Sequence, residues 1–161
     1  MADSQLLEIT ETVDAPPIKV FALLADPSRH VEIDGSGTVR GHVSGPCPVT
    51  GIGDEFVMEM HQDITGSYRT RNRIVDYEPN KRIIWATTLE PPDALSRLLR
   101  DIDLSGYTWG WELEPTHTGG TRVIHTYDWS GVRDRRALRI LPLIGEDQMA
   151  KTVRRIAAAT R

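Results

Sequence analysis

The stretch GYTWGWELEPTHTGGTRVIHTYDW, residues 106–129, decides the fold. It contains two runs with a period of two, separated by a turn. From Gly106 to Glu114, Tyr107, Trp109, Trp111 and Leu113 fall on one face. From Thr121 to Trp129, Val123, His125, Tyr127 and Trp129 do the same. Glu114-Pro115 and Gly119-Gly120 mark the turn between them. Successive residues of a strand point to opposite faces, so this is two strands sharing one aromatic face.

The same alternation extends upstream. Glu55 to His61 puts Phe56, Met58 and Met60 on one face and Val57, Glu59 and His61 on the other. Asp63-Ile64-Thr65-Gly66 reads as a hairpin turn. Tyr68 to Tyr77 follows, with Arg69, Arg71 and Arg73 on a wet face and Tyr68, Thr70, Asn72 and Ile74 opposite. Glu78-Pro79-Asn80-Lys81 turns the chain into a strand from Arg82 to Thr88 that carries Trp85 and Thr87. Thr38 to Val43 is a short strand, and residues 4–13 form a first one with Leu7, Ile9 and Val13. Seven consecutive strands pair most simply as an antiparallel sheet.

Helices occupy the gaps. Asp14-Ala15-Pro16-Pro17 opens one, with Asp14 as the expected cap and Val20, Phe21 and Leu24 as its apolar side. Asp26-Pro27 ends it and starts a second short helix running to about Ile33, which stops at Asp34-Gly35-Ser36-Gly37. Residues 90–104 do not alternate; Leu95, Leu98 and Leu99 predict a short helical insertion. After Gly131, Leu138, Leu141, Met149, Val153, Ile156 and Ala157 line one helical stripe. Pro142 interrupts it, so either the helix kinks there or a short helix precedes a longer one starting near Gly145. The expected class is α+β: a curved seven-stranded antiparallel sheet around a long C-terminal helix, with two short helices after strand 1.

The 161 residues suit a single domain, 1–161. With 39% hydrophobic and 26% charged residues the chain is globular, not disordered. Its net charge of −4 argues against nucleic acid as a partner. From Gly131 onward eight basic residues outnumber three acidic ones, which predicts a helix with a solvated basic face or a contact for an anionic partner. Cys47 is the only cysteine, so an intrachain disulfide is excluded and a reducing compartment is expected. Residues 1–5 show no basic region leading into an apolar core, and no apolar run is long enough to span a bilayer. The expectation is a cytoplasmic protein without a membrane span.

Several segments, in order, resemble the START/Bet v 1-like superfamily (SRPBCC), and within it the bacterial polyketide cyclase/dehydrase-like proteins. They are Val13-Asp14-Ala15-Pro16 leading into Val20-Phe21-Ala22-Leu23-Leu24-Ala25-Asp26-Pro27, then Ile33-Asp34-Gly35-Ser36-Gly37 and Gly53-Asp54-Glu55-Phe56. Asn72-Arg73-Ile74-Val75-Asp76-Tyr77-Glu78-Pro79, Arg82-Ile83-Ile84-Trp85, Gly119-Gly120-Thr121 and Tyr127-Asp128-Trp129-Ser130 follow. The resemblance covers essentially the whole chain. It implies a helix-grip fold with a ligand cavity between sheet and C-terminal helix. The superfamily includes aromatase/cyclases, lipid carriers, plant hormone receptors, coenzyme Q-binding proteins and chaperone cofactors, so the fold does not choose the function.

The inward face offers Phe56, Met58, Met60, Trp85, Tyr107, Trp109 and Trp111 for an apolar ligand, with Tyr68, Thr70 and Asn72 among them. These rings read either as closed core or as pocket; the mixture with Asn, Tyr and His favours a wet pocket. His125 and Tyr127, two apart on a strand, are the candidates for acid/base work. His30 and Asp34, spaced i, i+4, would lie near one mouth of the cavity, as a water-orienting pair or a local cap. Two ligands do not make a zinc site, so no metal is expected, and no organic cofactor. Gly35-Ser36-Gly37 precedes a strand and is not a phosphate loop. Cys47 lies in a proline-flanked loop with no obvious histidine partner. The leading function is binding of a small hydrophobic molecule, aromatic, polyketide-like or lipid-like, with cyclisation or dehydration as the chemistry it would support. The alternatives are a lipid or quinone carrier or sensor, and a protein-interaction module using the basic C-terminal helix. A homodimer is left open.

Overall fold

In a computed structural model of the chain, which describes residues 4–99 and 101–161, the strands form one antiparallel sheet. They are β1 (Leu6–Val13), β2 (Val39–Ser44), β3 (Glu55–Gln62), β4 (Gly66–Glu78), β5 (Arg82–Leu89), β6 (Thr108–Pro115) and β7 (Thr121–Asp128). Their order across the sheet is β1-β7-β6-β5-β4-β3-β2, so the first strand closes against the last. Consecutive strands from β2 to β7 are simple neighbours, β5 and β6 included although the insertion separates them. The edge placement of β1 is the long-range choice. It is secured by eight paired positions from Leu6↔Asp128 to Val13↔Thr121, and by Thr121 Oγ1 donating to Ala15 O at 2.7 Å.

Helix α1 spans Pro17–Leu24 and buries Val20, Phe21, Leu23 and Leu24. Its N-cap is Pro16 with no side-chain cap, which corrects the expectation that Asp14 would serve. The fixed φ of the Pro16-Pro17 pair already suits a first helical turn, so a side-chain acceptor is less needed. Asp26 does cap the next element: its Oδ1 accepts from Ser28 N–H at 3.0 Å. That element is a 3₁₀ turn, Pro27–Arg29, continuing into α2 (His30–Ile33).

The insertion after β5 is less helical than the leucine spacing predicts. Among the described residues of 90–104 one turn, α3 (Ser96–Leu99), is α-helical, and Leu95 before it lies at φ 68°. A left-handed residue cannot sit inside an α-helix, so the periodic stretch is cut at that point. The side chain of Leu98 lies outside the described set. Ile102 and Leu104 pack on a cluster built from Tyr127, Trp129, Val132, Ala137, Leu141 and Met149.

Pro142 resolves into two helices and not a kink. Helix α4 (Arg135–Ile140) is capped by Asp134, whose Oδ1 accepts from Arg136 N–H at 2.8 Å. Leu141 is extended, as the residue before a proline prefers. Helix α5 (Glu146–Ala159) starts at Gly145, where Gln148 Oε1 accepts from the Gly145 N–H at 2.9 Å. The stripe Met149, Val153 and Ile156 is buried against the concave face of the sheet. This arrangement is consistent with a helix-grip fold.

Gly35 sets how closely the α2–β2 loop meets α5. Its N–H donates to Thr152 Oγ1 at 2.8 Å, and a Cβ there would stand 2.6 Å from Thr152 N. Only glycine permits this approach. Arg155 Nη1 donates to Asp34 O at 2.6 Å beside it, which clamps the loop on the helix.

Candidate functional site

Between the concave face of the sheet, α5 and the α2–β2 loop lies a cavity of about 160 Å³. All fourteen side chains singled out from the sequence reach its wall: Phe56, Met58, Met60, Tyr68, Thr70, Asn72, Trp85, Tyr107, Trp109, Trp111, His125, Tyr127, His30 and Asp34. The strand register explains the convergence. Phe56 faces Asn72, Met58 faces Thr70, Met60 faces Tyr68, Trp85 faces Trp109, Trp109 faces Tyr127 and Trp111 faces His125. Directly opposed residues share a face, so one correct parity carries across five strands.

His125 is the most constrained of them. Its ring lies parallel to Trp111, with centroids 3.5 Å apart and planes at 10°, and Trp109 stacks at 5.7 Å. Nδ1 donates to Gly110 O at 2.9 Å, because a carbonyl can only accept. The proton therefore sits on Nδ1, and Nε2 keeps its lone pair. Burial pushes the imidazole pKa down to about 4, with the Gly110 hydrogen bond opposing the shift. His125 is thus neutral at pH 7. Trp109 also stacks on Tyr127 at 4.0 Å, so His125 and Tyr127 share contact with one indole.

Other polar groups divide into two sets. Asn72 is closed on itself: Oδ1 accepts from Thr87 Oγ1 at 2.8 Å, and Nδ2 donates to Thr70 Oγ1 at 3.2 Å and Phe56 O at 3.4 Å. The phenols remain. Burial raises Tyr68 to about 12, with Asp34 adding to the shift. It raises Tyr127 to about 12 as well, against a hydrogen bond to the Leu143 backbone, and pushes Tyr107 up further still. All three stay protonated donors.

His30 and Asp34 line the cavity, but their side chains are not joined to each other. His30 Nε2 donates to Leu24 O at 2.8 Å, and the ring stacks on Trp85 at 5.3 Å. Burial lowers its pKa. Asp34 spends both oxygens on its own loop: Oδ1 accepts from Ser36 N and Oγ, and Oδ2 from Val39 N at 3.0 Å. The carboxylate is a local cap, one of the two roles its spacing allowed.

The sequence reading passed over Leu143 and Ile144 of the α4–α5 linker and Thr152 of α5, which also line the cavity. Thr152 stands one turn beyond Met149, so the helical stripe carried that signal. The linker carried none, because its place depends on where Pro142 sends the chain. Cys47 requires a correction: its Sγ lies 3.4 Å from His42 Nε2. The strand β2 brings that imidazole alongside the loop. The thiol is nonetheless raised in pKa, chiefly by desolvation, so the pair does not produce a ready thiolate. No described helix is long and apolar enough to cross a membrane.

No family model matches the chain. The uncharacterised protein Rv0088 of Mycobacterium tuberculosis is 35% identical over 118 residues, covering 73% of this chain and 44% of that protein. The chain thus spans less than half the length of the curated relatives it matches. Among solved structures, protein Ms6760 of Mycobacterium smegmatis superposes with a TM-score of 0.70 at 18% identity, covering 99% of this chain and 92% of its own. The di-domain ARO/CYC StfQ of the steffimycin biosynthetic pathway gives 0.65 at 18% identity, covering 97% and 50%. DynU16, a putative protein in the dynemicin biosynthetic locus, gives 0.59 at 15% identity, covering 97% and 47%. At these identities the likeness establishes a shared fold, one that polyketide cyclase/aromatase-like proteins also use.

Proposed function

We propose that this chain binds a small, apolar, ring-containing molecule in the cavity between the sheet and α5. One observation carries the reading: aromatic and polar side chains from β3 to β7 converge on a single cavity of about 160 Å³, walled on the other side by Met149 and Thr152. A closed core would fill that space, since interiors pack to crystal-like density. The flat faces of Trp85, Trp109 and Trp111 suit a planar guest. Binding of p-xylene, followed by titration calorimetry, tests the proposal. A wall-filling variant, Met60→Trp, should abolish it while leaving the circular dichroism spectrum unchanged. Undiminished binding in that variant would place the guest elsewhere.

Cyclisation or dehydration of a polyketide-like chain is the second reading. Its support is the placement of His125 and Tyr127 against the same Trp109 ring, on a fold shared with an ARO/CYC protein. In an aldol step, Nε2 would take a proton from the carbon between two carbonyls. The Tyr127 phenol would hydrogen-bond the carbonyl oxygen as charge builds on it. An imidazole with a pKa of about 4 is a weak base, which places more of the task on the phenol and on positioning. His125→Ala and Tyr127→Phe should suppress turnover of a poly-β-ketone substrate without abolishing its binding. Turnover equal to the parent protein would leave the carrier reading in its place.

A further inference from the structure

We infer that the buried part of the ligand is uncharged and presents a hydroxyl group to His125 Nε2. The inference rests on the cavity being the ligand site proposed above, and it names the chemistry that site selects.

Among the described residues no lysine or arginine lines the cavity. The one carboxylate that they contribute, Asp34, is already taken by Ser36 and Val39. An anionic group inside would be stripped of water with no counter-charge, and burying an unpaired ion is prohibitive. A cationic group would have to compete with the loop for Asp34.

Hydrogen-bonding groups in the wall differ in whether a guest can reach them. The Trp111 Nε1–H has no acceptor among the described residues, but it is sealed off from the cavity space. His125 gives Nδ1–H to Gly110 O, which leaves Nε2 as an acceptor that no described residue fills. That unused acceptor sits on a ring held flat against Trp111, with centroids 3.5 Å apart. A hydroxyl can donate to an imidazole nitrogen. A ketone or ether can only accept, and would leave Nε2 unmatched. Asn72, Thr70 and Thr87 satisfy one another and make no such demand.

A cavity of about 150 Å³ accommodates a benzene-sized guest, and the volume here is similar. The fitting class is therefore a phenol or a ring-borne alcohol. Arg40 lines an adjoining vestibule that shares Ser36, Thr38 and Gln62 with the cavity and is a rival anchor for an anion, and its Nε already donates to Gly37 O.

The test compares p-cresol, p-xylene and p-toluate on the intact protein by titration calorimetry. These share one ring and differ only in a hydroxyl, a methyl or a carboxylate. p-Cresol should bind about tenfold tighter than p-xylene, the value of one net hydrogen bond, and p-toluate should bind more weakly than p-cresol by at least the same factor. His125→Phe, which keeps a flat ring against Trp111, should shrink the cresol-to-xylene ratio towards one. The parent-protein series decides the matter by itself if that variant does not fold. p-Cresol no tighter than p-xylene, or p-toluate as tight as p-cresol, overturns the inference while p-xylene binding keeps the site. Loss of p-toluate binding in Arg40→Ala would then identify the vestibule as its anchor. Failure of all three probes to bind overturns the site and the inference together.

Discussion

His125 lies flat against Trp111, with 3.5 Å between centroids, and is tied through Nδ1 to Gly110 on the neighbouring strand. The ring is held on two sides, so its protonation state is coupled to the fold itself.

Stability should therefore fall between about pH 6.5 and pH 4. His125 has its folded-state pKa depressed to about 4 from 6.5, so the unfolded chain binds a proton in this window that the folded one does not. The contribution is fully present above pH 6.5 and lost as pH drops towards 4, by about 3 kcal/mol. His30 acts in the same direction. Asp134 and Glu90 are both lowered by hydrogen bonds, so their contribution is lost only at the foot of this window and below it. Urea denaturation across the range checks the slope, and His125→Phe should flatten it. An unchanged slope in that variant would mean the imidazole is solvated.

Gly35→Ala should destabilise the fold by roughly 1–3 kcal/mol, the usual cost of forcing atoms into a packed contact. The added Cβ meets Thr152 N and Gln148 O, which are backbone atoms of α5 and cannot rotate away. The loop carries Ser36 and Thr38 of the cavity wall, so p-xylene affinity should fall as well. Denaturant midpoint and calorimetry report the two effects separately.

Thr87→Val should cost about 1–3 kcal/mol although the side chains are nearly the same shape. It leaves Asn72 Oδ1 buried without its donor, and an unmatched buried acceptor is more costly than a missing bond. Asn72→Leu placed on top of it should restore part of the loss, since the acceptor is then gone. A double-mutant cycle measures this coupling.

Met149→Ala should enlarge the cavity from the α5 side at a cost of about 2–5 kcal/mol. Met149 is 1% exposed and lines the cavity wall. Two-ring guests such as naphthalene should then bind more tightly than in the parent protein. An unchanged preference for single rings would show that the wall collapses into the space.

The strands were legible because their signal is local. Alternation at Phe56–Met60, Tyr68–Ile74, Tyr107–Leu113 and Val123–Trp129 needs only the strand period, and the observed register keeps all of these on the concave face. Twelve of the fourteen wall residues followed from that parity, and His30 and Asp34 from helical spacing. The insertion was less legible, because nothing in its leucine spacing announces the left-handed turn at Leu95. The Asp14 cap failed for a similar reason: two prolines supplied the helix start without it.

By itself, then, the sequence determined seven strands, their inward face, the helix that covers it and the aromatic character of the space between. These follow from periodicity and punctuation, which act over a few residues. Tertiary structure alone decided which polar groups in that space are spent and which are free. Asp34 is consumed by Ser36 and Val39, Asn72 by Thr87 and Thr70, and His125 Nδ1 by a carbonyl 15 positions away. Hydrogen-bond partners and desolvation depend on atoms brought together from distant parts of the chain, and residue spacing does not encode them.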